Sequence, residues 1–186
     1  MTDPAGGHPG VPAATSVLEV DLGAIAANWH HLCTRHAGPV AAVLKADAYG
    51  LGARQVATAL HAAGCRHYFT AHLAEALVIR DLLPGTMLAV LNGLWPGDAP
   101  IYAANGIAPV LGSLAEIDAY AAQAHITGRP LPTLLHVETG MNRLGLPPHE
   151  VDALAADPGR LAGIEVLFVM THLASAELPD DPANAA

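Results

Sequence analysis

In the stretch Ala41-Ala42-Val43-Leu44-Lys45-Ala46-Asp47-Ala48-Tyr49-Gly50-Leu51-Gly52, a short apolar run gives way to a glycine-punctuated loop, and a lysine stands at the change. The run ending at Val43-Leu44 predicts a buried strand, and Gly50 and Gly52 predict a turn after it. Lys45 is the only lysine in 186 residues; the other seven of the eight basic residues are arginine. An arginine can satisfy a salt bridge anywhere, whereas an amine can lose its proton and condense with a carbonyl. A lone amine at the C-terminal end of a strand therefore points to covalent chemistry, with a solvated surface lysine as the plain alternative.

Toward the N-terminus, Asp21 is placed to cap a helix running to about residue 36, with Ile25, Trp29 and Leu32 on one face and Trp29 packing into the core. The alternation over 17–20 predicts a short strand, and residues 1–16, rich in Gly, Pro, Ala and Thr, predict a flexible tail. Toward the C-terminus the pattern predicts a helix over 53–63, stopped by Gly64, then a strand over 67–71 and a helix over 73–82 ending before Pro84-Gly85. Strands follow over 86–91 and 107–111. Ser113 and Glu116 form a capping-box pattern opening a helix to about residue 124. A strand over 131–137, a loop over 138–145, a helix opened by Pro147-Pro148 and a strand over 164–170 complete the series.

Strands alternating with helices at this rhythm predict βαβ units and a parallel sheet with right-handed crossovers. The fold class expected is α/β, a (β/α)8 TIM-type barrel that is incomplete, with about six of its eight β/α units over residues 17–186. Catalytic groups of such barrels sit at the C-terminal ends of strands. Lys45 follows the first main strand, Arg143 the fifth and His172 the sixth, so three separate segments converge on one rim.

Val43-Leu44-Lys45-Ala46-Asp47-Ala48-Tyr49-Gly50-Leu51-Gly52 closely resembles the cofactor-lysine signature of the alanine racemases, pyridoxal phosphate enzymes of the fold-type III group. Two further segments match in the family's order, Val137-Glu138-Thr139-Gly140-Met141-Asn142-Arg143-Leu144-Gly145 and Met170-Thr171-His172-Leu173-Ala174-Ser175-Ala176-Glu177. The resemblance implies that Lys45 forms a Schiff base with pyridoxal 5'-phosphate and serves as a proton-transferring base. It also implies that Tyr49 contacts the cofactor phosphate, that Arg143 donates to the cofactor's phenolic oxygen, and that His172 lies beside the pyridine ring. A strand-end Arg143 paired with Glu138 is the structural alternative. Many members carry a carbamylated lysine seven residues before the arginine; here that position is His136, which cannot form the carbamate.

The same resemblance implies an amino-acid racemase that interconverts L- and D-alanine for cell-wall precursors, cytoplasmic and homodimeric in its full-length form. The family continues past this length into a C-terminal β-domain whose tyrosine supplies the second base from the partner subunit. The chain is therefore expected to be a truncated barrel with weak activity or none. Two other readings share the barrel: a non-enzymatic pyridoxal phosphate-binding or carrier protein, and a fold-type III amino-acid decarboxylase.

Composition narrows the field. A formal charge of −9 and the lack of any basic cluster argue against nucleic-acid binding. No apolar run approaches the roughly 18 residues of a membrane helix, and no basic residue precedes Arg35 to start a secretory signal. Cys33 and Cys65 stand alone, and the eleven histidines are scattered, so neither a disulfide framework nor a metal site is expected.

Overall fold

The computed structural model describes residues 16–178 and 180–184. Most of the tail expected over 1–16 lies outside them. Six parallel strands, β1 (Ala42–Val43), β2 (His67–Thr70), β3 (Met87–Val90), β4 (Ala108–Leu111), β5 (Leu131–His136) and β6 (Ile164–Met170), pair in sequence order. Each crossover carries a helix on one side: α2 (Ala53–Ala62), α3 (Leu73–Ile79), α4 (Ala99–Asn105), α5 (Leu114–Thr127) and α6 (Pro148–Ala156), with α1 (Leu22–Arg35) ahead of them. This is the incomplete (β/α) barrel expected from the pattern, with six strands among the described residues where a closed fold of this type has eight.

The period-two alternation of the strands sorts side chains into two layers. Ala42, Leu44, Tyr68, Leu88, Leu111, Leu131 and Leu135 face the helices and join Val56, Leu60, Ile79, Tyr102, Ile117 and Tyr120 in the main core. Ala89, Ala108, Val110 and Leu134 face the barrel interior, where Phe69, Met87, Leu91 and Met170 pack against them. A register shift between Thr133 and Leu134 in the β5–β6 ladder, which pairs them with Val166 and Phe168, leaves Leu167 as an extra residue in β6. His67 and Phe168 meet across the interior with ring centroids 5.7 Å apart.

Local chemistry accounts for the helix ends. Asp21 accepts from the Ala24 amide at 2.9 Å, and Gly106 and Gly128 take left-handed conformations that end α4 and α5. Trp29 packs against the core and donates its indole hydrogen to the Val40 carbonyl at 3.0 Å.

Four expectations need correction. Residues 17–20 form no strand: Val17 and Leu18 are 88% and 75% exposed, and no described strand pairs with them. Helix α4 lies where only loop was expected, between β3 and β4. The helix over 73–82 tightens into a 3₁₀ turn from Arg80. The capping box of α5 is only half formed. Ser113 Oγ accepts from the Glu116 amide at 3.3 Å, but Glu116 spends its carboxylate on the amides of Gly112 at 2.6 Å and Leu94 at 3.2 Å.

Candidate active site

Lys45 reaches the barrel interior because of a two-residue period. Ala42 and Leu44 bury themselves against the helices, so Ala41, Val43 and Lys45 face inward. At and just beyond the strands' C-terminal ends, Phe69 of β2 and Ala71 after it, Leu91 after β3, His136 of β5, and Met170 of β6 and His172 after it reach one cavity of about 560 Å³. Lys45, Tyr49, Arg143 and His172, the four residues singled out from the sequence, all line it. The floor is apolar and the rim carries an amine, a guanidinium and two imidazoles. No carboxylate is among the lining residues, although the chain as a whole is acidic.

The backbone after Lys45 is unusual. Ala46, Asp47, Ala48 and Tyr49 all take left-handed dihedrals, φ +52 to +57°, before Gly50 at +83°. The sequence reading put a loop here, and a run of non-glycine residues gave no signal of its hand. Left-handed residues with a Cβ are disfavoured by roughly 1–2 kcal/mol each, so the segment persists only because its surroundings hold it. The Ala46 amide donates to Glu75 Oε1 at 2.7 Å. At the far end the Gly52 amide donates to the Asp47 carbonyl at 3.0 Å, and the Ala53 amide to Asp47 Oδ1 at 2.7 Å. That last bond makes Asp47 the acceptor for an orphan amide at the start of α2, a duty the glycine at its N-cap cannot perform. The turn brings Tyr49 back beside the lysine, with Nζ 5.8 Å from the ring centroid, within the range of a cation–π contact.

Arg143 is carried by the loop that leaves β5. Val137 makes a bridge with Leu146, and the Leu146 amide donates to the His136 carbonyl at 2.7 Å, pinning the loop's two ends together. Glu138 does not pair with Arg143 in any ion pair of the described residues. Its carboxylate instead accepts from the loop amides, the Gly140 amide by a hydrogen bond, and these amides, Asn142's foremost, hold its pKa below the usual carboxylate value. Arg143 thus keeps its donors for the cavity. Thr139 and Thr171 hydrogen-bond side chain to side chain, joining this loop to the one that carries His172.

His136 is 7% exposed at the C-terminal end of β5. Burial pushes its pKa below the ordinary value; Glu138 opposes the shift, while His172 and Arg143 add to it. The imidazole is neutral at pH 7. Phe69, Leu91, Asn92, Leu144 and Met170 line the same cavity and were not singled out from the sequence. For Phe69, Leu91 and Met170 the signal was available in the strand alternation, whereas Leu144 lies in the Arg143 loop and Asn92 follows β3 in a stretch with no motif. Glu75 was also missed, because a histidine stands at its helix's N-cap where a capping-box pattern shows serine or threonine. Among the described residues no three metal-ligating side chains converge, and no helix is long and apolar enough to cross a membrane.

The cavity falls within the roughly 300–1,000 Å³ range of small-molecule sites, and its donor set suits a phosphorylated aldehyde. An amine faces the interior for the carbonyl, and cationic or neutral donors surround it without a competing carboxylate.

The profile of the family described as "Alanine racemase, N-terminal domain" matches residues 20–186. The chain is 52% identical over 169 residues to the alanine racemase of Acidiphilium cryptum, covering 91% of this chain and 47% of that protein. Among solved structures it is similar to alanine racemase from Bartonella henselae with covalently bound pyridoxal phosphate, at a TM-score of 0.85 and 36% identity, covering 89% of this chain and 49% of that one. It is also similar to a histidine racemase from Leuconostoc mesenteroides, at a TM-score of 0.77 and 29% identity, covering 87% of this chain and 44% of that one. The chain spans about half the length of the curated relatives it matches, 47% and 45% of the first two. With 167 consecutive residues under the family profile and the three motif segments gathered at one rim, the chain belongs to the alanine racemase family, through that family's N-terminal domain.

Proposed function

We propose that these residues form the lysine-bearing half of a pyridoxal phosphate-dependent amino-acid racemase acting on alanine. The single observation that carries the reading is the convergence of the chain's only lysine with Tyr49, Arg143 and His172 on one acid-free cavity. Lys45 would hold the cofactor covalently, Tyr49 its phosphate, Arg143 its phenolic oxygen, and His172 would lie beside the ring. When bound, pyridoxal phosphate supplies the electron sink that stabilises negative charge at the substrate's α-carbon. Once the incoming substrate amine has displaced it from the cofactor, the freed Lys45 amine would be the base that takes the α-proton and returns it. Neutral His136 beside Arg143 adds no second positive charge, so the guanidinium is free to donate to an anionic oxygen.

Alanine is favoured over histidine by the names of the relatives of higher identity. Turnover, supply of D-alanine for peptidoglycan, a cytoplasmic location and a homodimer are assigned to the whole protein, since inverting a carbon needs proton transfer on both faces. Removing the α-proton needs only one base. The test is therefore exchange of the α-hydrogen of L-alanine and, separately, of D-alanine in D2O with the 186-residue chain and pyridoxal phosphate, followed by proton NMR, since a lone base serves whichever enantiomer turns its hydrogen toward it. Exchange above the cofactor-only control that disappears in Lys45→Ala is expected. Exchange equal to that control would overturn the reading in favour of a carrier, and release of carbon dioxide would overturn it in favour of a decarboxylase.

A further inference from the structure

We propose that Glu75 is the positioning residue for Lys45, its carboxylate bridging the first turn of α3 to the backbone immediately after the lysine. The inference rests on the reading of Lys45 as the cofactor-holding lysine, and it concerns what aims that side chain.

Glu75 accepts three backbone hydrogens. Oε2 takes those of Ala71 at 2.8 Å and His72 at 3.0 Å, and Oε1 takes that of Ala46 at 2.7 Å. The first two close the start of α3; the third crosses 29 residues of sequence to the first member of the left-handed run. Burial pushes the carboxylate's pKa up, but the three amides and the nearby His72 outweigh it, so the group is ionised at neutral pH. Lys45 stands between two fixed points: the Leu44 amide, which donates to the Phe69 carbonyl at 2.7 Å, and the Ala46 amide held by Glu75. Both anchors lie on the β2–α3 unit, which fixes the lysine's backbone while leaving its amine free.

The link between units, without the two bonds to its own helix start, recurs at Glu150 and supplies a control. Glu150, at the same first-turn position of α6, accepts from the Leu114 amide at 2.8 Å and so ties two β/α units together. Glu116 does likewise to Leu94. A carboxylate reaching from the first turn of one helix to the preceding β/α unit is thus part of how neighbouring units are joined. What singles out Glu75 is that the amide it holds follows Lys45 directly, in backbone that would not keep its hand unaided.

Glu75→Gln preserves shape but turns an amide donor toward backbone N–H groups, and Glu150→Gln makes the same change away from the cavity. Because the chain has one lysine, a protein labelled with 13Cε-lysine gives a single lysine signal that reports the side chain with no cofactor present. The expected result is a dispersed signal in the wild type and in Glu150→Gln, collapsing toward the random-coil position in Glu75→Gln at equal helicity. Reductive labelling of Lys45 by pyridoxal phosphate should fall about tenfold in Glu75→Gln, the scale of losing one charge-assisted bond, and not in Glu150→Gln. An unchanged lysine signal in Glu75→Gln, or equal change in both variants, overturns the proposal. If the wild type takes no pyridoxal phosphate at Lys45, the proposed function falls, while the lysine signal still decides the role of Glu75.

Discussion

Replacing Gly145 by alanine strikes the loop that carries Arg143. Gly145 has φ +118°, where a side chain is strained, and a Cβ built on it lies 2.7 Å from the Glu138 nitrogen and 2.9 Å from the Val137 carbonyl carbon. Both neighbours are backbone and cannot swing aside. Nor can the loop slide, because Leu146 is 1% exposed and its amide and carbonyl are bonded to His136 and Glu138 at 2.7 and 3.0 Å. Gly140, on the same loop at φ +124°, has nothing within 4 Å of its Cβ position. Gly140→Ala thus costs the backbone strain alone, about 1–3 kcal/mol, and Gly145→Ala adds an overpacking penalty of about 1–3 kcal/mol. At about 2–4 °C per kcal/mol for a domain of this size, Gly145→Ala should melt about 2–12 °C below Gly140→Ala. Thermal unfolding followed by circular dichroism measures both. Melting points within a degree of each other would refute the close approach and, with it, the placement of the Arg143 loop against the end of β5.

Asp47→Ala removes the acceptor for the Ala53 amide and should cost about 1 kcal/mol, read as a melting point lower by about 2–4 °C, whereas Asp47→Asn keeps an acceptor and should lose much less. His136 gives a pH signature. Its folded-state pKa lies below its unfolded one, chiefly through burial, so the unfolded chain binds the extra proton first and this part of the stability is lost as pH falls through about 6.5. Urea midpoints between pH 7.5 and 5.5, as working conditions, should therefore fall more steeply in the wild type than in His136→Leu; parallel lines would show that the histidine is not buried as described.

What the sequence made legible, it made legible through periodicity. The alternation of Ala42 and Leu44 against Val43 and Lys45 is enough to turn the lysine inward once the strand is recognised, and β5 and β6 do the same for His136 and His172. Helix α4 escaped notice because Pro96, Gly97 and Pro100 break up any helical period around its start and the helix is only seven residues long. The strand expected at 17–20 had the right alternation, but a strand is defined by its partner, and no described strand supplies one. The left-handed run was invisible for a different reason. Ala46 to Tyr49 carry no glycine, and their conformation is imposed by Glu75 and Asp47 through bonds that local propensity cannot report. Glu116 shows the same limit, since its sequence pattern named the right helix start but not the amides its carboxylate serves.

The central claim is that Lys45 opens onto a formed cofactor pocket, and the most direct measurement is to mix the purified chain with pyridoxal phosphate, reduce with borohydride and map the modified peptides. Only the N-terminal amine competes with the single lysine. The label should fall on the peptide containing Lys45, in preference to the N-terminus, and should be lost on unfolding in urea. Label confined to the N-terminus, or equal labelling of Lys45 in the folded and unfolded chain, would contradict it.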